Sequence, residues 1–503
     1  MGTEVYMLLG IDLGTGSIKV ILQSDDGTVA ATGTAAYPLS VPESGAAETH
    51  PDLWIAAFRE ALDQVRQRIH LEADKILPVD GIGFSGQMHG IVPLSAEGAV
   101  LHPAILWADN RGGEFLPYLE QVWAGKKAQL MNAPNAGMTA LTLLWLKKYR
   151  PQVYRDARWF LFPKDYIRYR LTGLIATDYS DASGSLLYNF KTRSWDAELC
   201  GALHIDAEKL PPILESIAKA GLTTKEARGF GLADLVPVAV GSGDTPAALF
   251  GTACFIEEPL KKEASLFRNH VIQISVGTAV QVVRPLAFIP AFNPALNYYE
   301  SALPGQGYHM AAMLNGGLAL ERVREWLCYD WDEFYREFDK NPWDIPEDLV
   351  FLPYLAGERT PYRNPDARGA WIGLGLHHGR RDLMASALLG VAFTVRLGIE
   401  TLLGDQVPLS KADYQFRLVG GSSRRSTWTS LLASVVEHPL MVSEISDASG
   451  RGAAAMARTM LTGSLPEPVP AKKIQPQIIP GLEKRYTLFL QSYSKLYNEA
   501  RNC

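Results

Sequence analysis

A short glycine-containing motif occurs twice in this chain, and this repeat constrains the fold more than any other feature. Ile11-Asp12-Leu13-Gly14-Thr15-Gly16 returns as Ile274-Ser275-Val276-Gly277-Thr278-Ala279. Each copy lies between two apolar runs typical of β-strands, and glycine allows the positive φ that a tight turn needs. A six-residue similarity can also arise by chance. As a true repeat, it predicts two similar halves that each open with a β-hairpin.

Hydrophobic periodicity around the two hairpins favours mixed strands and helices in both halves. In the first half it predicts a helix over 51–69 and strands over 7–11, 18–22, 29–31 and 79–84. In the second half it predicts strands over 416–419 and 440–442 and helices over 426–436 and 486–500. A chain of 503 residues is long enough for two large domains. We therefore place a boundary near 250–260 and predict α/β domains over 1–253 and 254–503, with a cleft between them.

The charge balance and the cysteines argue against several classes of function. A formal net charge of −6 and a pI near 6.0 give no basic footprint for nucleic acid or for an anionic membrane. The four cysteines are far apart and form no Cys-x-x-Cys pair that would indicate a zinc or iron–sulfur site. We expect reduced thiols and small-molecule partners.

No targeting or membrane signal is recognised in the sequence. The first residues lack a basic region followed by an apolar run, and no stretch is predicted to reach membrane-spanning length. The expectation is a cytoplasmic protein without a membrane partner.

The first hairpin is a candidate phosphate and metal site. Its backbone N–H groups around Gly14 and the Thr15 hydroxyl could approach phosphate oxygens, and Asp12 could hold Mg²⁺ through water. The alternative is an ordinary tight turn, since short glycine motifs often match by chance. The segment is neither a P-loop nor a dinucleotide fingerprint, because it lacks the Gly-Lys-Ser/Thr ending of the first and the third glycine of the second.

A second candidate is Asp244, which follows the apolar run 236–240 and the sequence Gly241-Ser242-Gly243. Pro246, two residues later, is typical of the first turn of a helix. Two interpretations stay open for this position. The carboxylate caps the helix N-terminus, which is a common use of aspartate, or it acts as a general base at the mouth of a cleft.

Three further loops place polar residues or glycines at predicted strand ends. His89 follows a strand in Gln87-Met88-His89-Gly90, although a lone histidine is more often structural. The second hairpin contributes Gly277 and Thr278. A third loop, with Gly420, Gly421 and Ser422, precedes a helix, where backbone N–H groups favour anions. The recurrence of such loops in two related halves favours a shared functional cleft.

With these segments in order, the chain resembles the FGGY family of carbohydrate kinases, and within it the members that phosphorylate D-xylulose. The resemblance runs along nearly the whole sequence. Its matching segments are residues 10–15, 86–90, 103–107, 163–166, 178–184, 243–244 and 351–361.

This resemblance implies an ATP-dependent carbohydrate kinase built from two actin-like, ribonuclease H-like domains, each a mixed sheet flanked by helices. The N-terminal domain would bind the sugar, the C-terminal domain would bind ATP with Mg²⁺, and the active site would lie in the cleft between them. The implied reaction converts D-xylulose to D-xylulose 5-phosphate.

The functional residues of the family map onto positions already singled out. Asp244 matches the base that takes the proton from the accepting hydroxyl, and Asp12 matches the acid near Mg²⁺ and the phosphates. The positions that match the sugar-binding side are Met88, His89, Asp244 and Thr245. The positions assigned to the nucleotide and its phosphates are Gly14, Thr15, Gly277, Thr278, Asn315, Gly420, Gly421 and Ser422.

Four positions depart from the pattern of the members that phosphorylate xylulose. Thr245 replaces an asparagine that contacts the sugar, and Thr142 replaces a lysine. Leu389 lies where an acid is common, and Ala279 begins a pair that is more usually Ser-Gly. These departures bear on the rate and on the exact sugar more than on the class of reaction.

Several alternatives therefore stay open. Residues 274–282 and 314–317 are nearer to members that act on sedoheptulose, so a longer ketose or a polyol is the second substrate expectation. From other classes of function, a sugar sensor or an actin-like ATPase would share this architecture. The expected partners are a small sugar and ATP, with a homodimer as a further expectation and no nucleic acid.

Overall fold

The computed structural model describes residues 6–72, 75–255, 271–404, 414–443, 445 and 447–497, without the side chain of Ser422. Two seven-stranded sheets organise these residues, one formed before residue 255 and the other after residue 270. The predicted boundary at 250–260 lies partly outside the described residues.

Short strands alternate with helices along the chain. In chain order the strands are β1 (Met7–Leu13), β2 (Ser17–Ser24), β3 (Val29–Ala36), β4 (Glu48–Thr49), β5 (Gly81–Gly86), β6 (Val92–Leu94), β7 (Ala104–Ile105), β8 (Trp159–Leu161), β9 (Thr177–Asp178), β10 (Tyr188–Asn189), β11 (Ser194–Trp195), β12 (Ile213–Leu214), β13 (Lys219–Leu222), β14 (Pro237–Ala239), β15 (Ser242–Gly243), β16 (Val271–Val276), β17 (Val280–Leu286), β18 (Asn297–Glu300), β19 (Gly307–Met313), β20 (Val350–Leu352), β21 (Ala370–Ile372), β22 (Gln415–Val419), β23 (Leu440–Val442) and β24 (Lys472–Ile474).

Helices pack against both sheets. In chain order they are α1 (Pro51–Arg68), α2 (Leu116–Trp123), α3 (Lys127–Leu130), α4 (Thr139–Tyr149), α5 (Pro151–Asp156), α6 (Pro163–Thr172), α7 (Tyr179–Ser183), α8 (Ala197–Ala202), α9 (Asp244–Gly251), α10 (Gly317–Trp326), α11 (Trp331–Phe338), α12 (Arg380–Leu403), α13 (Ser426–Val436), α14 (Ala448–Thr462) and α15 (Leu482–Tyr497). The helices predicted over 51–69 and 426–436 are confirmed. The strand predicted from residue 79 begins at residue 81, and the C-terminal helix begins at residue 482 rather than 486.

The two large sheets share one topology. In the first sheet, β1, β2 and β3 form an antiparallel meander, and β5 and β14 add in parallel, in the order β13-β14-β5-β1-β2-β3. The seventh strand, β15, pairs with β5 outside this order. In the second, β16, β17 and β19 form the meander, and β22 and β23 add in parallel, in the order β18-β19-β17-β16-β22-β23-β24. The predicted repeat is confirmed, and with it the pair of actin-like α/β domains.

Local sequence explains where several helices begin. α1 begins at Pro51, because proline lacks an N–H group that the first turn would leave without a partner in any case. α11 begins with a capping box, in which Asp330 and Glu333 each accept a hydrogen bond from the backbone of the other. The turn before α13 contains Gly420 with a φ of +94°, a conformation that favours glycine.

Among the described helices, α12 alone has the length and composition of a membrane span. It has 24 residues, and its mean hydropathy reaches 1.5 over 18 of them. The prediction that no stretch reaches this length is therefore wrong on length and composition. However, 83% of that window is buried inside the fold. A helix that is apolar on all sides is also typical of the core of a large protein.

α14 joins the two halves. It follows β23 of the second sheet, yet it packs on β1, β5 and α9 of the first half. Glycines allow direct contact between backbones. A Cβ atom on Gly83 would lie 1.8 Å from the Ala453 carbonyl oxygen, and one on Gly452 would lie 1.8 Å from the Ala247 carbonyl oxygen. A division at residue 253 therefore separates the two sheets. It assigns α14 to the second half, although this helix packs on the first half.

Replacing Gly452 with alanine tests this packing. The new methyl group would meet backbone rather than a movable side chain, so we expect the free energy of unfolding to fall by about 1–3 kcal/mol. Gly201 in α8 is the matched control, because a Cβ atom there meets nothing within 4 Å and alanine favours a helix. Chemical denaturation measures both variants, and equal stability of the two would contradict the close packing of α14.

Candidate active site

A central cavity lies where β2 and α9 of the first half face β16, β17 and β22 of the second. Its volume is about 200 Å³. Its walls include Lys19, Asp244, Thr245, Gln273, Ser275, Gln281, Gly420, Asp447 and Ser449. The structure thus brings residues from both sheets together in one cleft.

Asp12 lies at the end of β1, next to the cavity wall formed by Ser449. Its Oδ1 accepts a hydrogen bond from the Ser85 hydroxyl at 2.8 Å, and its Oδ2 accepts one from the Ser449 hydroxyl at 2.7 Å. Burial raises the pKa of Asp12, and the two hydroxyl donors oppose this effect. Because Ser449 belongs to α14, the helix that joins the two halves also holds this carboxylate.

Asp244 is the first residue of α9, and Gly243 is the N-cap. The interpretation of Asp244 as the cap is therefore wrong. Its Oδ1 accepts hydrogen bonds from Thr245, at 2.6 Å from the backbone N–H and at 3.2 Å from the hydroxyl. Within the described part of the chain, Oδ2 has no hydrogen-bond donor. Burial, followed by the negative charge of Asp12, raises the pKa of Asp244 to about 6.

Thr245 stands in the same wall of the cavity. Its hydroxyl lies 3.2 Å from Asp244 Oδ1 and 3.5 Å from Oε1 of Gln281 in the other half. A hydroxyl has one hydrogen to donate, so it serves one of these two acceptors at a time. The other departures Thr142 and Leu389 are buried in α4 and α12.

Lys19 provides positive charge in the central cavity, and the sequence analysis missed it. It pairs with Asp447 at 2.7 Å. Among the described residues that line the cavity, it is the only lysine or arginine. A signal was available in the sequence, because a turn at 14–16 places Lys19 directly opposite Asp12 in the hairpin register, and directly paired residues share one face of a sheet.

Side chains of the first half fix the first hairpin. The Tyr37 hydroxyl and the Gln87 amide both donate to the Gly14 carbonyl oxygen, the amide at 3.1 Å. Trp107 Nε1 donates to the Thr15 hydroxyl oxygen at 2.9 Å. This leaves the hydrogen of the Thr15 hydroxyl for another acceptor. The contacts of Gly14 and Thr15 with phosphate stay predictions.

Met88 packs against Gly243, the residue before Asp244, since a Cβ atom on Gly243 would lie 2.6 Å from the Met88 side chain, and both Met88 and His89 lie against Gly184. His89 has a φ of +70°, and its Nδ1 lies 2.9 Å from the Gly184 carbonyl oxygen. A carbonyl oxygen only accepts, so Nδ1 carries the proton. Burial lowers the pKa of His89 to about 4. The ring is therefore neutral at pH 7, and Nε2 is a hydrogen-bond acceptor.

A buried ion cluster lies behind these residues. Lys164 Nζ lies 2.8 Å from a carboxylate oxygen of each of three acids, Asp165, Asp178 and Asp181. All four side chains are fully buried. Burial raises the pKa of Asp181 well above its usual range, and the charge of Lys164 opposes this effect.

The ion cluster is connected to the site through α7. Asp178 accepts a hydrogen bond from Ser180 N at 2.8 Å and so caps this helix. The Ser180 hydroxyl oxygen in turn accepts from Gly243 N at 2.9 Å, directly before Asp244. The residue after α7 is Gly184, the partner of His89. One short helix therefore supports both the candidate base and the histidine.

The second hairpin caps α10. The Gly277 carbonyl oxygen accepts a hydrogen bond from Gly317 N at 2.7 Å, and the Thr278 carbonyl oxygen accepts one from Gly316 N at 3.1 Å. Both hairpin residues are exposed on their other side. Their contacts with the nucleotide stay predictions.

The Asn315 side chain has no exposed surface. Its amide donates to the Gly357 carbonyl oxygen at 2.7 Å, and its Oδ1 accepts from Ala356 N at 3.1 Å. Asn315 thus fixes the loop at residues 356–358. The contact of Asn315 with the nucleotide stays a prediction.

An aromatic pocket of about 290 Å³ begins at Gly421, next to Gly420 of the central cavity. The rings of Trp331 and Tyr335 stack 5.8 Å apart, and the Arg425 guanidinium lies 5.0 Å from the centre of the Tyr335 ring. Its walls are Val276, Gly317, Leu320, Trp331, Tyr335, Gly421, Arg425 and Trp428. Sequence reasoning identified Gly421 but not the aromatic walls. The Ser422 side chain lies outside the described residues.

Two actin-like halves around a cleft are typical of a class of phosphate-transferring proteins. Comparison with known families shows to which family of this class the chain belongs. The N-terminal domain model of the FGGY family of carbohydrate kinases matches residues 7–251, and its C-terminal domain model matches residues 282–461. The chain belongs to this family and is an ATP-dependent carbohydrate kinase.

Several similar proteins are named as xylulose or xyloylose kinases. The chain is 30% identical over 455 residues to the xylulose kinase of Lactococcus lactis, covering 90% of this chain and 87% of that protein. It is 30% identical over 440 residues to the xylulose kinase of Escherichia coli, covering 85% and 84%. A solved structure of a xyloylose kinase from Brucella ovis matches with a TM-score of 0.86 at 29% identity, covering 99% and 100%. The predicted family and fold are confirmed.

Replacing His89 with asparagine tests the role of Nε2. Asparagine tolerates a positive φ and can donate to Gly184, but it places no acceptor at the Nε2 position. We expect the KM for the sugar to rise about 2- to 12-fold, because a neutral hydrogen bond is worth about 0.5–1.5 kcal/mol. Steady-state kinetics with the sugar and with ATP measure the effect, and the KM for ATP is the internal control. An unchanged sugar KM would make His89 a purely structural residue.

Proposed function

We propose that this kinase transfers the terminal phosphate of ATP to D-xylulose, forming D-xylulose 5-phosphate, with Asp244 as the general base. One observation carries the proposal. Asp244 lines the central cavity, its pKa is about 6, and its Oδ2 accepts no hydrogen bond from any described group. A base with a pKa near the working pH is ionised and still accepts a proton readily. The identity of the sugar is supported by the relatives that are named xylulose kinase.

The two adjoining pockets suggest how ATP would lie. The aromatic pocket would hold the adenine ring between apolar walls, and the phosphates would pass Gly420 and Gly421 into the central cavity. Lys19 would then face the terminal phosphate and stabilise its negative charge during transfer. This arrangement leaves Asp244 on the side of the accepting hydroxyl.

The residues around Asp12 fit a Mg²⁺ ion held through water. Both carboxylate oxygens of Asp12 already accept hydrogen bonds from serine hydroxyls. Waters around the ion donate hydrogen bonds, so they suit such a carboxylate, and Mg²⁺ usually keeps several of its waters. Asp447, in the cavity wall beside Ser449, provides another carboxylate near Asp12. When bound with ATP, the ion supplies positive charge to the phosphates.

In this proposal each residue of the base assembly has a separate task. Thr245 holds Oδ1 of Asp244 and so directs Oδ2 toward the substrate. Oδ2 takes the proton of the accepting hydroxyl as that oxygen bonds to the terminal phosphorus of ATP, while the bond from this phosphorus to its bridging oxygen breaks and ADP leaves. His89 Nε2 accepts a hydrogen bond from another sugar hydroxyl and fixes the sugar chain. The surrounding walls exclude water, which limits hydrolysis of ATP.

A panel of ketoses and polyols in a coupled ADP-release assay tests the substrate. D-xylulose is expected to give the largest kcat/KM. A larger value for sedoheptulose or for a polyol would change the substrate and keep the kinase reaction. ADP release that does not depend on sugar would contradict the proposed function and favour an ATPase.

Asp244→Asn tests the base. Asparagine keeps an Oδ1 acceptor for Thr245 but cannot take a proton, so we expect kcat to fall about 10²- to 10⁴-fold, with the thermal midpoint and ATP affinity nearly unchanged. Asp52→Asn is the matched control, since Asp52 also lies in the first turn of a helix but is exposed at α1. A folded Asp244→Asn enzyme with near-normal kcat would remove Asp244 from the mechanism.

The pH profile gives an independent readout of the same base. Asp244 acts when ionised, and its pKa is about 6. We expect kcat/KM to be constant well above pH 6 and to fall about tenfold for each pH unit below it, because the protonated fraction grows in that proportion. A profile that stays constant to pH 5 would show that another group, or no group, accepts the proton.

Trp331→Leu tests the aromatic pocket as the adenine site. Loss of an aromatic contact with a base costs about 1–3 kcal/mol, so we expect the KM for ATP to rise about 5- to 150-fold, with the sugar KM unchanged. Trp326→Leu is the matched control, because Trp326 ends α10 and is 55% exposed outside this pocket. If the two variants had equal ATP kinetics, the adenine ring would bind elsewhere.

A further inference from the structure

Arg359 lies between the two halves with its hydrogen-bond donors unused. It belongs to the second half, and its guanidinium lies 5.7 Å from the centre of the Trp107 ring of the first half. Within the part of the chain that the structure describes, this guanidinium has no hydrogen bond and no ion pair. The Arg359 side chain is exposed. Its donors therefore face the open space of the cleft.

The backbone on both sides of Arg359 is held in place. The Glu358 carboxylate accepts hydrogen bonds from Arg359 N at 2.7 Å and from Leu314 N at 2.8 Å. Thr360 N donates to the Ala312 carbonyl oxygen at 3.1 Å. These contacts fix the loop to the end of β19. Arg359 is thus a cation presented from a fixed position, unlike an arginine on a loose surface loop.

A nearby arginine shows the contrasting, structural use. The Arg363 guanidinium donates to the Pro294 carbonyl oxygen at 2.8 Å and to the Pro134 carbonyl oxygen at 3.1 Å, and so ties the two halves together. Arg359 has no such partner among the described residues. All five N–H groups of its guanidinium are available for a ligand.

The charge of Arg359 reaches the sugar side of the cleft. It lowers the pKa of His89 further, in addition to the larger effect of burial. The Tyr299 ring lies 6.0 Å from the His89 ring, and Tyr299 is influenced by the charges of both Arg359 and Asp244. Arg359 and Asp244 therefore border the same space from different sides.

We propose that Arg359 binds the 1-hydroxy-2-keto end of an open-chain ketose while Asp244 binds the hydroxyl at the opposite end. This inference rests on the proposed function and specifies its substrate class. A guanidinium only donates, and it presents parallel N–H groups in one plane. The carbonyl oxygen at C2 and the hydroxyl oxygen at C1 match this pair. A polyol lacks the carbonyl, so the same contact selects ketoses.

The experiment compares D-xylulose with 1-deoxy-D-xylulose, which lacks only the oxygen at C1. In the wild type, we expect the missing oxygen to lower kcat/KM by about 10- to 150-fold, the range for a hydrogen bond from a charged donor. Arg359→Met should lower kcat/KM for D-xylulose by a similar factor. In that variant the effect of the missing oxygen should shrink to less than about threefold, because the substitution has already removed the contact that the missing oxygen would make.

Two further measurements separate this role from others. The KM for ATP and the thermal midpoint should stay unchanged in Arg359→Met, and an equal rise in the KM for ATP would overturn the proposal by placing the guanidinium on the nucleotide. Arg322→Met, at an exposed ion pair on α10, is the matched control. If Arg359→Met does not fold, Arg359→Lys takes its place, because lysine keeps the charge but lacks the planar pair of donors.

The outcomes distinguish this inference from the proposed function. A wild type that does not phosphorylate D-xylulose contradicts the proposed function itself. A wild type that does so, together with an Arg359 variant that retains the full effect of the missing oxygen, contradicts only the role of Arg359.

Discussion

The contact of the buried Lys164 ammonium with three carboxylates is the interaction on which the placement of Asp244 and His89 depends. Removing one member of a buried ion pair costs about 3–5 kcal/mol, because it leaves a charge without compensation. In this molecule, removal of Lys164 or Asp178 would also release α7, which positions Gly243 and His89. A fully buried ion cluster therefore sets the geometry of the candidate base and of His89.

Much of each sheet was predictable because its signals are local. Alternating apolar residues and turn glycines indicate the two meanders, and periodicity with proline or glycine at the ends indicates α1 and α13. The path of α14 was not predictable in the same way. Its place on the first sheet depends on small residues that lie far apart in the sequence, such as Gly83 and Gly452. For the same reason, composition alone could not distinguish α12 from a membrane span.

The candidate site was predictable in its positions more than in its orientations. Asp12 and Asp244 lie at strand ends, where their motifs placed them, but only the backbone geometry shows that Asp244 follows the cap. Asn315 turns inward because the neighbouring loop satisfies its amide. Lys19 could have been found from the hairpin register. The aromatic pocket could not have been found from the sequence, because residues of α10, α11 and α13 form it together.

The position of α14 has a consequence for how the chain acquires its structure during synthesis. The face of β1 and β5 that α14 covers is made early, whereas the helix itself emerges near the end of translation. Until then the first half cannot complete its own core, and apolar strand surface remains open to aggregation. Although the two halves repeat one architecture, they are not independent folding units. The final native packing of the first half depends on the completion of the second.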